Sequence, residues 1–404
     1  MHLASKPLSD MEPPGGLPNE FRLLTLAVRS HIHGDDTDGL TTLLEADLDW
    51  ELVCTMADWH RLDPLLYRML QRTRPDLVPK PILERLSGAL ANTTHYNLML
   101  TSALTRLAAL LRDNEIPFLP LKGILLAQQA LGDLSLRRSS DLDLLVRPCD
   151  ARRTLDLLCR ELGYVPDIAY SPNQLRLLFQ TEKEIKLYSG GLLLELHWRY
   201  AQIPETYPSD PTLFSEVCAY QELGGTRFPV LPLPDQFSYL CFHGTRHLWV
   251  RLFWLADLGF LINRFPDLDW DAVLSRARAL GQEQALALGL ALSAALFQLS
   301  LPKPALDLIQ KTAHTSKYAK EILDLYAQAR PAHDYRIVIP IVTTYRWLLR
   351  MCPNLTGKAT VFYQGLIKPG IPDALAVPLP RILYPLYYVI RPFRLALQLL
   401  RRGD

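Results

Sequence analysis

The sequence is poor in the features that would place it quickly in a class. Cysteine is scarce: six in 404 residues, at 54, 149, 159, 218, 241 and 352. They form no CxxC pair, which excludes the common zinc and redox spacings, and a chain of this length needs no disulfide framework. No run of about 18 uncharged apolar residues occurs, so no transmembrane helix is expected. The first residues, MHLASKPLSDMEPPGGLPNE, lack the apolar core of a signal peptide and read as a flexible leader over 1–20. A cytoplasmic location is the default expectation. An excess of one charge is missing as well. With 43 Lys and Arg against 42 Asp and Glu, the formal net charge is +1, which gives no general pull toward nucleic acid. There is no HExxH, no internal repeat and no low-complexity tract.

What is present is a globular composition, 49% apolar and 21% charged, long enough for two or three domains. Residues 21–112 read as an N-terminal helical region. Within it Leu100, Leu104, Leu107 and Leu111 mark one helix face, and Asn114 and Pro117 end it. IPFLPLKG (116–123) predicts a short strand ending in glycine, even though proline cannot donate to a ladder. ILLAQQALGD (124–133) predicts a short helix and DLDLLV (141–146) the next strand. RPCDARRTLDLLCRELGY (147–164) predicts a helix with Asp150 as cap and Gly163 at its exit. EIKLYSGGLLLELHWRY (184–200) reads as a hairpin about Gly190-Gly191. Residues 201–234 are proline-rich and read as irregular. The pattern is helical again to about 330, and a proline-punctuated tail covers 331–404. The expected division is a core over 113–232, a helical domain over 233–330 and a C-terminal helical tail region over 331–404. The fold class is α+β, a mixed sheet flanked by helical regions.

The chemistry concentrates in the strands. Strand side chains alternate, so Asp141 and Asp143 share one face while Leu142 and Leu144 share the other. Two neighbouring carboxylates repel unless a cation lies between them. Mg²⁺ (or Mn²⁺) is the natural candidate, a hard ion held by carboxylates and substrate phosphates. In LLLELHW, Glu195 and His197 again share a face opposite leucines, and Glu195 is a third candidate ligand. Upstream, Lys122 and Gly123 close a strand and open a helix. Glycine admits a phosphate to the backbone, and the helix N-terminus favours an anion. Lys122, Arg137 and Arg138 are candidate phosphate contacts.

Other histidines compete for roles. His243 and His247 lie four apart on one helix face, open to metal, to nucleotide or acceptor contact, and to plain structural bonding. His60 reads as structural, and HIHGDDTDG (31–39) as a solvated loop. RILYPLYYVIRPFRLALQLLRR (381–402) is apolar, aromatic and basic. Pro385 and Pro392 interrupt it, and packing on the protein body is favoured over peripheral membrane contact.

The order strand–KG–helix–DxD strand–helix–acidic strand resembles the nucleotidyltransferase superfamily, the fold of polymerase beta and the aminoglycoside nucleotidyltransferases. More closely, the chain is similar to a bacterial family described only as uncharacterised nucleotidyltransferases. The stretches that carry this are DWELVCTMADWHRLDPLLYRML (49–70), PFLPLKGILLA (117–127), LRRSSDLDLLVRP (136–148), LELHWR (194–199), CFHGTRHLWVRLFWLADLGFL (241–261) and LPRILYPLYYVIRPFRL (379–395). The resemblance implies a mixed sheet, Asp141, Asp143 and Glu195 as metal ligands, and Lys122 with Gly123 beside a triphosphate. It implies transfer of NMP from an NTP to an acceptor: small molecule, peptide, protein or RNA. Two departures bear on nucleotide binding. The usual glycine-serine pair is Gly123-Ile124, and the segment before the DxD is longer than usual. The competing readings are a nucleotide-binding regulator without turnover and a toxin–antitoxin-like interaction protein.

Overall fold

The computed structural model describes residues 16–401 apart from 36, 204–206, 208–218, 329, 331 and 353–354. The leader expected over 1–20 lies outside the described residues as far as 15. The first helix, Asn19–His33, already includes the leader's last two residues.

A five-stranded mixed sheet positions the site. Its strands are β1 (Phe118–Pro120), β2 (Leu142–Val146), β3 (Val165–Pro166), β4 (Glu184–Ser189) and β5 (Leu192–His197), in the order β1-β2-β5-β4-β3. β2 and β5 are parallel neighbours at the centre, as the crossover helix Ala151–Leu162 between them allows. β1 is an antiparallel edge strand, which explains how Pro120 is tolerated in it. β4 and β5 form the expected hairpin. Gly190 and Gly191 both take positive φ, 56° and 78°, as a tight primed turn requires. Asp150 does precede the helix Ala151–Leu162, but its side chain caps nothing. Its Oδ2 accepts from Arg147 Nε at 2.5 Å instead.

Two expectations need correcting. Residues 201–234 are not all irregular. β6 (Ala219–Leu223) and β7 (Thr226–Val230) pair as a separate hairpin around Gly224-Gly225. HIHGDDTDG is not one loop either: His31 and His33 end the first helix, and a second helix begins at Thr37.

Leucine alternation packs the sheet from one side. Leu142, Leu144, Leu194 and Leu196 bury against Leu100, Leu104, Leu107 and Leu111 of the long helix Lys80–Asp113. That helix also reaches, through Leu86, a second core. There the helices of 21–70 and those of 237–326 interdigitate, with Phe21, Trp249, Phe297 and Tyr326 fully buried or nearly so.

His60 lies inside this second core as its sequence context predicts. Its Nδ1 accepts from the Leu252 N–H at 3.1 Å, so its Nε2 carries the proton toward Tyr335 Oη at 3.0 Å. Burial, with Arg251 and Arg330 nearby, pushes this imidazole down from 6.5 to about 3. A folded pKa below the unfolded one makes the unfolded state bind more protons. Stability from His60 is therefore full above the unfolded value and lost as pH falls from 6.5 toward 3. The expected acid slope from this group approaches ~1.4 kcal/mol per pH unit. His60→Gln, which can accept from Leu252 and donate to Tyr335, is expected to flatten it. Urea midpoints at one pH above 6.5 and one well below it check this; the same acid loss in both proteins would remove His60 as its source.

Candidate active site

Register builds the site from the sheet's second face. Asp143 on β2 lies opposite Glu195 on β5, and on β5's other side Lys186 of β4 faces Glu195 while Glu184 faces His197. Alternation sends all of these side chains to the face opposite Leu142, Leu144, Leu194 and Leu196. Beneath them Leu119, Leu121, Leu145, Tyr200, Tyr239 and Phe242 form a small apolar floor.

Three ligand-capable groups converge. Asp143, Glu195 and His197 each present an atom within 4.8 Å of the others'. His197 Nε2 lies 3.2 Å from Asp143 Oδ1 and 3.6 Å from Glu195 Oε2, and its Nδ1 lies 3.1 Å from Glu184 Oε2. Asp141 sits just before β2 and points the same way. Lys122 Nζ touches Asp143 Oδ2 at 2.5 Å and Asp141 Oδ1 at 3.9 Å. All three expected carboxylates line the same cavity, but the group of ligand atoms within 4.8 Å of one another takes in His197 and not Asp141.

The electrostatics show how tightly charge is held. Burial raises the Asp143 carboxyl, but Lys122 and His197 outweigh it and hold it well below the usual carboxylate range. For Glu195 burial again opposes, and the His197 hydrogen bond wins, lowering it. Asp141 goes the other way: burial raises it more than Lys122 lowers it. Burial works against the Lys122 ammonium, yet Asp143 and Asp141 raise it. A buried cation is therefore required among these carboxylates, and in this structure the lysine provides it. The same donors, carboxylate oxygens plus one imidazole, could hold a divalent metal.

Nearly all of the sequence candidates meet in one cavity of about 280 Å³. It is lined by Lys122, Gly123, Arg137, Asp141, Asp143, Glu195, His197, His243 and His247. Arg138 is the exception. It pairs at the surface with Asp58 at 2.5 Å and with Asp63 at 3.6 Å, and does not line the cavity. Arg137 lines it, but its donors are spent within the protein. Its Nε and Nη2 grip Asp257 at 2.7 and 2.8 Å, and its Nη1 donates to the Gly123 carbonyl at 3.1 Å. Arg137 thus positions the glycine turn rather than offering a free guanidinium. His243, His247 and Trp254 make an aromatic wall, with ring centroids 4.9–5.6 Å apart. Enclosure drives His243 well below its ordinary pKa.

Several cavity residues escaped the sequence reading. Glu184 and Lys186 could have been found by extending the hairpin's alternation one strand further. Lys183, Arg61 and Arg246 had no local signal. Burial, aided by Arg246, pushes Lys183 down to about 7. Ser139 bears on the missing glycine-serine pair. It is buried, and its Oγ lies 4.0 Å from where a Gly123 Cβ would stand. A serine hydroxyl thus reaches the glycine turn from another segment.

Gly123 itself takes φ 75° and ψ −132° as it opens the helix Ile124–Leu131. A side chain is disfavoured there by backbone geometry, and its Cβ would meet the Asp141 carbonyl at 3.5 Å. Gly123→Ala is expected to cost ~1–3 kcal/mol of stability and to weaken NTP binding more than that strain explains. Denaturant titration and equilibrium NTP binding on the same preparation check it. Unaltered affinity in the folded variant would make the turn merely structural.

Comparison with known proteins gives one family. The model of a family described as "Uncharacterised nucleotidyltransferase" matches residues 46–298. The match takes in the sheet, every cavity residue and the helices over the site, and ends before the tail stretch 379–395. No curated protein and no solved structure matches the chain.

Proposed function

Since the chain belongs to this family of uncharacterised nucleotidyltransferases, we propose that it moves a nucleoside monophosphate from an NTP to an acceptor and releases pyrophosphate. The observation that carries this reading is the convergence of Asp143, Glu195 and Lys122 inside a cavity with six Lys and Arg side chains against four carboxylates. Such a lining suits a polyanion accompanied by a cation.

Asp141, Asp143 and Glu195 would hold Mg²⁺ (or Mn²⁺), which when bound offsets triphosphate charge and steadies the oxygens of an in-line displacement. The chain's own groups do the rest. Lys122 keeps the carboxylates together until the substrate arrives, and its ammonium is then a point charge for a phosphate oxygen. Gly123 lets the backbone approach that phosphate at the helix N-terminus. The Arg61 and Arg246 side chains line the cavity and make no side-chain hydrogen bond among the described residues, so they are available to further phosphate oxygens. His197, held through both ring nitrogens, fixes the rotamers of Asp143 and Glu195 on one side and Glu184 on the other. Glu195, which lines the cavity and is partly exposed, would complete the metal site or activate the acceptor hydroxyl. The Gly123-Ile124 departure would favour a non-turnover nucleotide binder, but Ser139 supplies a hydroxyl beside the same turn.

Ligands that bind only the folded state stabilise it by mass action. Divalent metal with NTP is expected to raise Tm of the wild type, and Asp141→Asn with Asp143→Asn to remove most of that rise. Thermal melts with metal alone, NTP alone and both decide it. The full shift persisting in the double variant would defeat the assignment of the two aspartates.

A further inference from the structure

The last helix, Tyr387–Arg401, is turned inside out. Its solvent face is apolar throughout the described positions. Tyr388, Val389, Phe393 and Leu397 are 48–68% exposed, with Pro392 and Ala396 exposed between them. Its inward face carries the charge. Arg391 Nη1 and Arg394 Nε bind the two oxygens of a fully buried Asp373 at 2.8 and 2.6 Å. Buried Tyr387 donates to the Val377 carbonyl and accepts from the Leu379 N–H. These bonds fix the helix in this rotation, because rolling its apolar face inward would strand Asp373 without a cation.

The face does not stand alone. Tyr363 Oη lies 3.4 Å from Tyr388 Oη, joining it to the exposed Leu366 and Ile367. On the other side Ile382, Leu383 and Leu386 continue it, Ile382 being 85% exposed. Exposed apolar surface this continuous marks a docking face. The charge around it is one-sided. Residues 336–404 hold ten Lys and Arg but only two Asp and Glu, whereas the rest of the chain holds 33 Lys and Arg against 40 Asp and Glu; three of the ten are spent within the protein, Arg391 and Arg394 on Asp373 and Arg350 on Glu321. One of those two acids is the buried Asp373.

We infer that this C-terminal face seats the protein on an anionic phospholipid bilayer. The helix lies in the interface with Tyr388, Val389, Phe393 and Leu397 among the acyl chains, and the surrounding basic residues meet lipid phosphates. A second copy of the chain suits the face poorly, since two such surfaces would bring net positive charge against net positive charge. No helix among the described residues is long and apolar enough to cross a membrane, so the contact is peripheral. The inference does not depend on nucleotidyl transfer.

The test is co-sedimentation of the full chain with phosphatidylcholine vesicles, with and without about 30 mol % phosphatidylglycerol. Binding is expected to the anionic vesicles, several-fold weaker to the neutral ones, and weakened by salt. Val389→Asp with Phe393→Asp, both solvent-facing, is expected to reduce partitioning ~10-fold with Tm nearly unchanged. Ile382→Asn on the neighbouring turn is a second variant expected to weaken binding should the first fold poorly. Wild-type protein left in the supernatant with anionic vesicles at low salt would overturn the inference. So would undiminished binding of a folded variant. So would a wild-type dimer that ignores vesicles and is split by these substitutions, which would make the face a protein interface.

Discussion

Glu195→Gln is expected to lower nucleotidyl transfer by on the order of 10³-fold, several kcal/mol of transition-state stabilisation, while leaving the fold intact. The substitution keeps size and removes charge at a partly exposed position facing the cavity. NTP binding should survive in part, because Asp141 and Asp143 remain to anchor a metal. His197→Gln should be milder in turnover but more costly in stability. Its ring is buried and bonded to Asp143, Glu195 and Glu184, and glutamine reaches only some of these partners. Single-turnover rates and urea midpoints on both variants separate the two roles. A dead His197→Gln beside an active Glu195→Gln would move the chemistry from the carboxylate to the imidazole.

Asp257→Asn is expected to destabilise the protein by ~3–5 kcal/mol, the usual cost of leaving one member of a buried pair uncompensated. Arg137 and Asp257 are 6% and 2% exposed at the side chain, and their bond is bidentate, with Arg137 stacked near the Phe253 ring as well. The pair joins the helix Leu252–Arg264 to the Gly123 turn. Losing it should therefore disturb NTP binding at a residue that does not touch the cavity. Arg137→Met with Asp257→Leu should recover much of the stability but not the binding, since Gly123's carbonyl still loses the Arg137 donor. A stability loss below about 1 kcal/mol for Asp257→Asn would show that the pair is not holding the turn.

Much of the site was legible because strand alternation and charge are local signals. DLDLLV and LLLELHW each place acids opposite leucines, and the parallel pairing of β2 with β5 brings Asp143 opposite Glu195 as that alternation requires. The same local logic failed where long-range partners decide. Arg137 and Arg138 are neighbours in sequence, yet one is buried on Asp257 and the other pairs at the surface with Asp58. Nothing within the segment distinguishes them. Arg61, just past the helix Trp50–His60, and Arg246, at the end of the helix Leu233–Arg246, reach the cavity from far away in the chain, and Ser139 reaches Gly123 from a different loop. The hairpin 219–230 was missed although Gly224-Gly225 signals it, because the prolines around it read as irregular chain. The tail's orientation was not legible in its own segment for a related reason. Its arginines look like the solvent face of an amphipathic helix until Asp373, 18 residues before Arg391, turns them inward.

The central claim is that the cavity transfers the nucleotidyl group and not the terminal phosphate. The measurement is incubation of the full chain with divalent metal, cell extract and NTP labelled at either the α- or the γ-phosphate, followed by separation of labelled products. The α-label should appear on an acceptor and the γ-label only in pyrophosphate, with both signals lost in Glu195→Gln. A γ-label carried to the acceptor, or an α-label transferred equally by wild type and Glu195→Gln, would contradict it.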